Sequence, residues 1–186
     1  MCADSSKLPL LLVGGSAGAL LTGLSLQVQW PDWRWHQEPV HSTVEALGGL
    51  AAIATAIVLL HRRNTSPAQK WRTVAVGLLG MGLLQIFHAM AEPGHAFVFL
   101  RNVASLTGSI GFVLTWLGDE PDRPSQTARW LWMIPEGAFA LGAWGLLFPE
   151  QLPEMMRNGQ WTAAALVSQS LASLFFFAGA VRLFPD

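Results

Sequence analysis

The sequence has little charge. Only 12% of its 186 residues are Asp, Glu, Lys or Arg, about half the usual share of a soluble domain, whereas 52% are hydrophobic. A soluble domain of this length could not solvate its surface with so few charges. The charges also fall in short clusters between long apolar runs. We therefore expect the lipid bilayer to surround most of the chain.

Other scarce features exclude further classes of protein. The single cysteine, Cys2, excludes an internal disulfide framework and a cysteine-rich metal site. A formal net charge of −1 without a basic stripe gives no reason to expect nucleic acid as a partner. The chain has no glycine-rich phosphate loop, and Ser16 in Gly14-Gly15-Ser16 has neither a strand context nor a partner base. We therefore expect no enzymatic activity.

Apolar runs are what the sequence has in excess. Several are long enough, at about 20 residues, to cross a hydrocarbon core of roughly 30 Å as helices. They predict an all-α polytopic membrane protein, a single domain over residues 1–186 built as a bundle of six transmembrane helices. The predicted spans are 8–27, 40–60, 71–90, 97–117, 130–148 and 162–184. The first has spanning length and no clear cleavage motif, so we interpret it as a retained helix.

The placement of lysine and arginine predicts the orientation of this bundle. One side of the membrane would carry eight basic residues: Lys7, Arg62, Arg63, Lys70, Arg72, Arg123, Arg129 and Arg182. The other side would carry three: Arg34, Arg101 and Arg157. Basic loops stay in the cytoplasm, so we expect both termini there. The chain would be a multi-pass protein of the bacterial inner membrane.

Polar side chains inside the apolar runs fall at one depth. Such groups are costly in a membrane, which makes their positions informative. His41 and Glu45 lie one turn apart on one face of the second span, near its outer end. His88 lies near the outer end of the third span. The resulting candidate ligand-binding layer consists of His41, Glu45, Gln85, His88, Arg101 and Asn102.

Three interpretations fit this layer. Imidazole and carboxylate suit zinc, copper or iron, and the candidate metal ligands are His41, Glu45, His88 and, in the short outer link, His95. A haem variant would use His41 and His88 as opposed axial ligands. The second interpretation is a pocket for an organic or lipid-like ligand. The third is structural: a Glu45–Arg101 ion pair beside histidines that form hydrogen bonds at a wet interface.

A second unusual position is Glu136, which follows Pro135 inside the fifth predicted span. It could relay a proton or accept hydrogen bonds that a proline kink exposes. It could equally cap a helix that begins at Pro135, and this interpretation is favoured.

The stretch from His41 to Glu45, opening a helix, resembles the start of a helix in bacterial membrane-associated sensor domains of the third class. The stretch from Leu84 to Met90 is similar to the histidine-containing end of that family's next helix. Phe148-Pro149 and the stretch from Gly159 to Thr162 resemble its later pattern, so the similarity covers roughly residues 40–184. The resemblance implies a sensor of small molecules, with His41, Glu45 and His88 as signal-binding positions.

Such domains precede kinase or cyclase output domains, and none follows within these 186 residues. We therefore expect the partner to be a separate signalling output protein or a larger membrane complex. The leading hypothesis is a sensor that signals through helix repacking when a small molecule or ion binds near the outer leaflet. The alternatives are a haem- or metal-binding redox subunit and a structural accessory subunit.

Overall fold

The computed structural model describes residues 38–61, 68–117 and 130–183, together with the isolated helical positions Leu21, Ser25 and Gln29. The described chain is mostly helical, with five α-helices. They are α1 (Glu38–His61), α2 (Ala68–Met90), α3 (His95–Val113), α4 (Met133–Leu147) and α5 (Ala163–Leu183). A short 3-10 turn, Leu114–Leu117, continues α3, and another, Pro149–Gln151, follows α4.

Four of these helices are long and apolar enough to cross a membrane: α1, α2, α3 with its 3-10 extension, and α5. Their ends lie within three residues of the predicted spans 40–60, 71–90, 97–117 and 162–184. The predicted span 130–148 corresponds to α4, whose 15 residues extend over about 22 Å, less than the bilayer core of roughly 30 Å. The predicted span 8–27 lies outside the described residues, apart from Leu21 and Ser25. Four spans, rather than six, are therefore established by length and composition.

α2 and α3 form the centre of the described bundle. α1 and α4 pack against α2, and α5 packs against α3. Half of the apolar window of α2 is buried, against 17% for α1 and for α5. Glycines let the two central backbones approach closely: a Cβ added at Gly111 would lie 2.5 Å from the Gly77 Cα. This direct backbone contact is the small-residue packing that membrane helices use.

A small hairpin joins α4 to α5. Strands β1 (Met156–Arg157) and β2 (Gln160–Trp161) pair antiparallel around Asn158 and Gly159, which have φ angles of 53° and 77°. Two consecutive positive φ angles in an Asn-Gly pair are typical of a type I′ hairpin turn. α5 then begins after Thr162, whose hydroxyl accepts a hydrogen bond from the Ala165 N–H. Thr162 thus acts as the N-cap of α5.

The apolar side chains that the described helices leave uncovered are numerous and large. On α1 they include Val44, Leu47 and Leu50, each more than half exposed, and on α5 they include Leu174 and Phe177. A protein surrounded by water rarely exposes such continuous apolar faces. Together with the four span-length helices, they indicate a membrane protein whose helices contact lipid.

Candidate polar site at one end of the bundle

Three helix ends meet at one end of the bundle. α1 begins there, α2 ends there and α3 begins there, because consecutive helices run antiparallel. The connection from α2 to α3 is only four residues, 91–94. The Ala91 N–H closes α2 on the Phe87 and His88 carbonyls, and Pro93 has no N–H with which to continue the helix. This short link holds the first turn of α3 beside His88.

His88 is the central residue of the site. Its side chain is completely buried, and its Nδ1–H donates a hydrogen bond to the Phe97 carbonyl oxygen over 2.7 Å. A carbonyl oxygen only accepts, so this contact assigns the proton to Nδ1. In the neutral ring, Nε2 then carries a lone pair. That atom is buried and has no hydrogen-bond partner within the described part of the chain.

His41 and Glu45 lie opposite His88, on the first turns of α1. One ligand atom from each of these three residues lies within 4.8 Å of the other two. The His41 Nε2 is 3.9 Å from the Glu45 Oε1, and the His41 and His88 ring centroids are 6.3 Å apart, with the rings nearly perpendicular. The structure thus brings together the three residues that the sequence predicts as signal-binding and metal-ligating positions.

Arg101 reaches the same carboxylate from α3. Its Nη1 is 3.8 Å from the Glu45 Oε1, and its side chain is 56% exposed, against 19% for Glu45. A hydrogen bond between nitrogen and oxygen requires about 2.7–3.2 Å, so this ion pair is loose. The predicted Glu45–Arg101 pair therefore exists, but it leaves the carboxylate oxygen without a close hydrogen bond to either Arg101 or His41. The cluster of His41, Glu45, His88 and Arg101 is called the polar cluster below.

Two other predicted residues lie around the polar cluster rather than in it. Gln85 lies on α2, where a Cβ added to Gly49 of α1 would be 3.2 Å from the Gln85 Cβ. His95 is exposed at the first position of α3 and lies outside the three-residue group of possible metal ligands. His95 is thus a surface histidine near the site, at the same end of the bundle.

Asn102 belongs to a different interface. Its side chain is 1% exposed; its Nδ2–H donates to the Val98 carbonyl, and its Oδ1 accepts from Gln169 Nε2 over 2.8 Å. The Ser168 hydroxyl adds a weaker contact of 3.4 Å to the same oxygen. Asn102 therefore connects α3 to α5, one residue beyond Arg101 of the polar cluster.

Sequence reasoning missed the roles of Phe97, Ser168 and Gln169. Phe97 supplies a carbonyl, and its ring centroid lies 4.0 Å from that of His88 and 5.4 Å from that of His41. A phenylalanine in an apolar run gives no indication that its carbonyl oxygen will accept a hydrogen bond from a histidine. Gln169 does give an indication of its role, because a polar amide beside Ser168 in the middle of an apolar span is unusual enough to predict a partner.

Glu136 lies far along the chain from the polar cluster and is exposed. α4 begins at Met133, so Pro135 and Glu136 both fall in its first turn. This is where proline is tolerated and where a carboxylate complements the helix dipole. The helix begins two residues before Pro135, and its N-terminus has no side-chain cap hydrogen bond, so the structure does not show the capping role predicted for Glu136. An open groove lined by Leu79, Trp132, Pro135, Glu136 and Phe139 lies beside it.

The chain matches no protein-family model, no curated protein and no solved structure. Its function therefore has to be inferred from the chemistry of the site itself.

Proposed function

We propose that the chain is a non-enzymatic, membrane-embedded binding module that uses the polar cluster to detect a small molecule or ion. One observation carries this proposal: a fully buried histidine, whose Nε2 has no partner in the described chain, has a ring nitrogen within 4.8 Å of a carboxylate oxygen and of a second imidazole nitrogen. A buried polar atom without a hydrogen bond costs about 1–3 kcal/mol. Proteins tolerate such a cost chiefly at functional sites, where a ligand supplies the missing interaction.

The position of the polar cluster suits a sensor. The lengths of the apolar runs support six spans, and the placement of lysine and arginine supports both termini in the cytoplasm of a bacterial inner membrane. This puts the start of α1 near the outer leaflet. The His41 side chain is 45% exposed, so a ligand from the aqueous side can reach it. Glu45 and His88 lie deeper and would hold the ligand.

Signalling would proceed through the helices that the polar cluster joins. A bound ligand contacts α1, α2 and α3 at once, so it favours the arrangement in which these helix ends lie closest together. The Asn102 network links α3 to α5, which runs to the opposite side of the bundle. The resemblance to membrane-associated sensor domains supports the same direction of signal, towards an output on the cytoplasmic side.

A redox subunit with haem between His41 and His88 is less well supported. The Glu45 ligand atom lies within 4.8 Å of both imidazole ligand atoms. A porphyrin between the two rings would have to displace that carboxylate, at an energetic cost to the α1–α3 packing.

Replacing Glu45 with methionine in the full chain tests whether the polar cluster serves binding or structure. If it serves binding, removing a largely desolvated carboxylate should stabilise the ligand-free protein by about 1 kcal/mol, since functional sites often trade stability for activity. For a domain of this size, that corresponds to roughly 2–4 °C in unfolding temperature. The measurement is thermal unfolding in detergent after treatment with a chelator.

The matched control is Glu92→Met, the same change at an exposed carboxylate of the 91–94 link, which should shift the unfolding energy by no more than about 0.5 kcal/mol. A loss of 1 kcal/mol or more in Glu45→Met would mean that the carboxylate mainly stabilises the fold, and the binding proposal would then fail. A panel of Zn²⁺, hemin, benzoate and a soluble quinone then identifies the ligand class. The informative probe is one that stabilises the natural protein and not Glu45→Met.

A further inference from the structure

We infer that the ligand of the polar cluster is a divalent transition-metal ion of the zinc type, held by His41, Glu45 and His88 with a fourth coordination position open. This inference rests on the proposed function, because it names the ligand of the same site. Three independent features support it: the size of the gap, the chemistry of the atoms around it, and the hydrogen bond that orients His88.

The gap between the three ligand atoms has the size of one atom. For atoms 4.8 Å apart, the point equidistant from all three lies about 2.8 Å from each. A single ion or a single water fits.

Small movements would bring the three atoms to metal-binding distance. In a tetrahedral zinc site with bonds of about 2.0–2.1 Å, neighbouring ligand atoms are about 3.3 Å apart. The His41–Glu45 distance of 3.9 Å has to shorten by about 0.6 Å, and the widest separation of 4.8 Å by about 1.5 Å. His41 is half-exposed and near the start of α1, so a rotamer change at this residue can shorten its distances to the other two ligand atoms.

The atoms around the gap are electron-pair donors. The Glu45 carboxylate has only lone pairs to offer, and the His88 Nε2 carries one when Nδ1 holds the proton. Two such lone pairs at this separation repel each other unless a cation, or a water that donates a hydrogen to each, lies between them. Imidazole with carboxylate selects zinc, copper, nickel or iron over magnesium and calcium, which prefer oxygen ligands alone.

The Phe97 carbonyl supplies the outer interaction that such a site requires. Metal-binding histidines usually donate their second ring N–H to a carbonyl or carboxylate, which sets the tautomer and the ring orientation. The 2.7 Å hydrogen bond from His88 Nδ1 to Phe97 does this before any metal binds.

Arg101 distinguishes a metal from an anionic ligand. Its guanidinium lies 3.8 Å from the Glu45 carboxylate and would compete with a metal cation for it. With 56% of its side chain exposed, Arg101 can move into solvent when the ion binds. An organic anion would instead use Arg101 as its main attraction, so the two ligand classes predict opposite effects of removing it.

The test measures zinc binding by the chelator-treated full chain in detergent micelles, by competition with a chromophoric chelator. Cobalt(II) serves as a second probe, since its visible spectrum reports coordination geometry. The variants are His41→Ala and Glu45→Gln, which avoid the fully buried His88, with His95→Ala as the matched control at an exposed histidine of the same end. Arg101→Gln completes the set.

We expect the natural chain to bind one equivalent of zinc. His41→Ala and Glu45→Gln should each weaken binding by at least about 100-fold, the upper range for loss of even an outer-shell partner. His95→Ala should stay within about 3-fold of the natural chain, and Arg101→Gln should bind equally or more tightly. Two results would overturn the inference. One is a zinc affinity of His41→Ala and Glu45→Gln equal to that of the natural chain, and the other is no zinc binding at all.

The failure of this inference can be told from the failure of the proposed function. If zinc does not bind but Glu45→Met still stabilises the ligand-free protein, the polar cluster is a site for another ligand. If zinc does not bind and Glu45→Met destabilises the protein, the polar cluster is structural and both ideas fail.

Discussion

Breaking the hydrogen bond between Asn102 and Gln169 should weaken the packing of α3 against α5 by a measurable amount. The two amides are 2.8 Å apart, and Asn102 is 1% exposed. Side-chain hydrogen bonds between membrane helices contribute about 0.6 kcal/mol on average and about 1.7 kcal/mol at most. Because this one is short and buried, and Ser168 adds a second contact to the same oxygen, we expect a coupling energy of about 1 kcal/mol.

A double-mutant cycle measures this coupling directly. Asn102→Ala, Gln169→Ala and the double variant are unfolded by a denaturing detergent in mixed micelles, and the interaction energy is the departure from additivity. Ser170→Ala, at the exposed neighbour of Gln169, is the matched control and should be additive with Asn102→Ala. A coupling energy below about 0.3 kcal/mol, the usual scatter of independent pairs, would refute the reasoning.

The same variants test how the signal leaves the polar cluster. If α5 follows α3 through this hydrogen bond, zinc should slow hydrogen exchange in both helices of the natural chain. In Asn102→Ala, zinc should still protect the first turns of α1 and α3, whereas the effect on α5 should disappear. Equal protection of α5 in both proteins would contradict the proposed route.

Three further predictions concern packing, protons and capping. Gly111→Ala should destabilise the protein by about 3 kcal/mol or more in detergent unfolding, because the new methyl group meets the Gly77 backbone. The control Gly48→Ala has open space around it and should be neutral or stabilising by up to about 1 kcal/mol. Equal effects of the two variants would contradict the close packing of α2 against α3. Zinc affinity should fall as the solution is acidified from about pH 7.5 to about pH 5.5, because protons compete for imidazole lone pairs; a pH-independent affinity in the chelator competition would exclude histidine ligands. Thr162→Ala should cost about 1 kcal/mol through loss of the N-cap of α5, seen as faster hydrogen exchange in its first turn; unchanged exchange there would count against the cap.

The positions of the helices were largely predictable from the sequence. Long apolar runs set the four span-length helices to within three residues, because crossing lipid requires a minimum length and every backbone group must be paired inside the helix. α4 was harder to predict. The apolar run predicts one span, but a turn at Trp132 separates helical residues 130–131 from the helix Met133–Leu147, and Pro149 follows. The uninterrupted helix therefore covers only Met133–Leu147.

The polar cluster was predictable in part and for a simple reason. When a short link joins two antiparallel helices, residues equally far from the link on the two helices become neighbours. The 91–94 link therefore brings the end of α2 next to the start of α3. The same reasoning did not indicate that Asn102 contacts α5. It follows Arg101 in the sequence, but a step of one residue turns about 100° around the helix and points the side chain towards α5. The depth of a residue in the membrane follows from the helix rise and can be read from the sequence. The helix that its side chain faces depends on how the helix is rotated about its axis, and only packing determines that rotation.

The contact between Gly77 and Gly111 has a consequence for how motion in this protein can be observed. Sliding α2 past α3 by one helical turn would drive side chains into the backbone that the glycines now meet, so this pair of helices keeps its register. Spectroscopic labels placed one on each of these helices would therefore report a constant separation. A label on α1, measured against that internal ruler, would report the movement of α1 that a ligand produces.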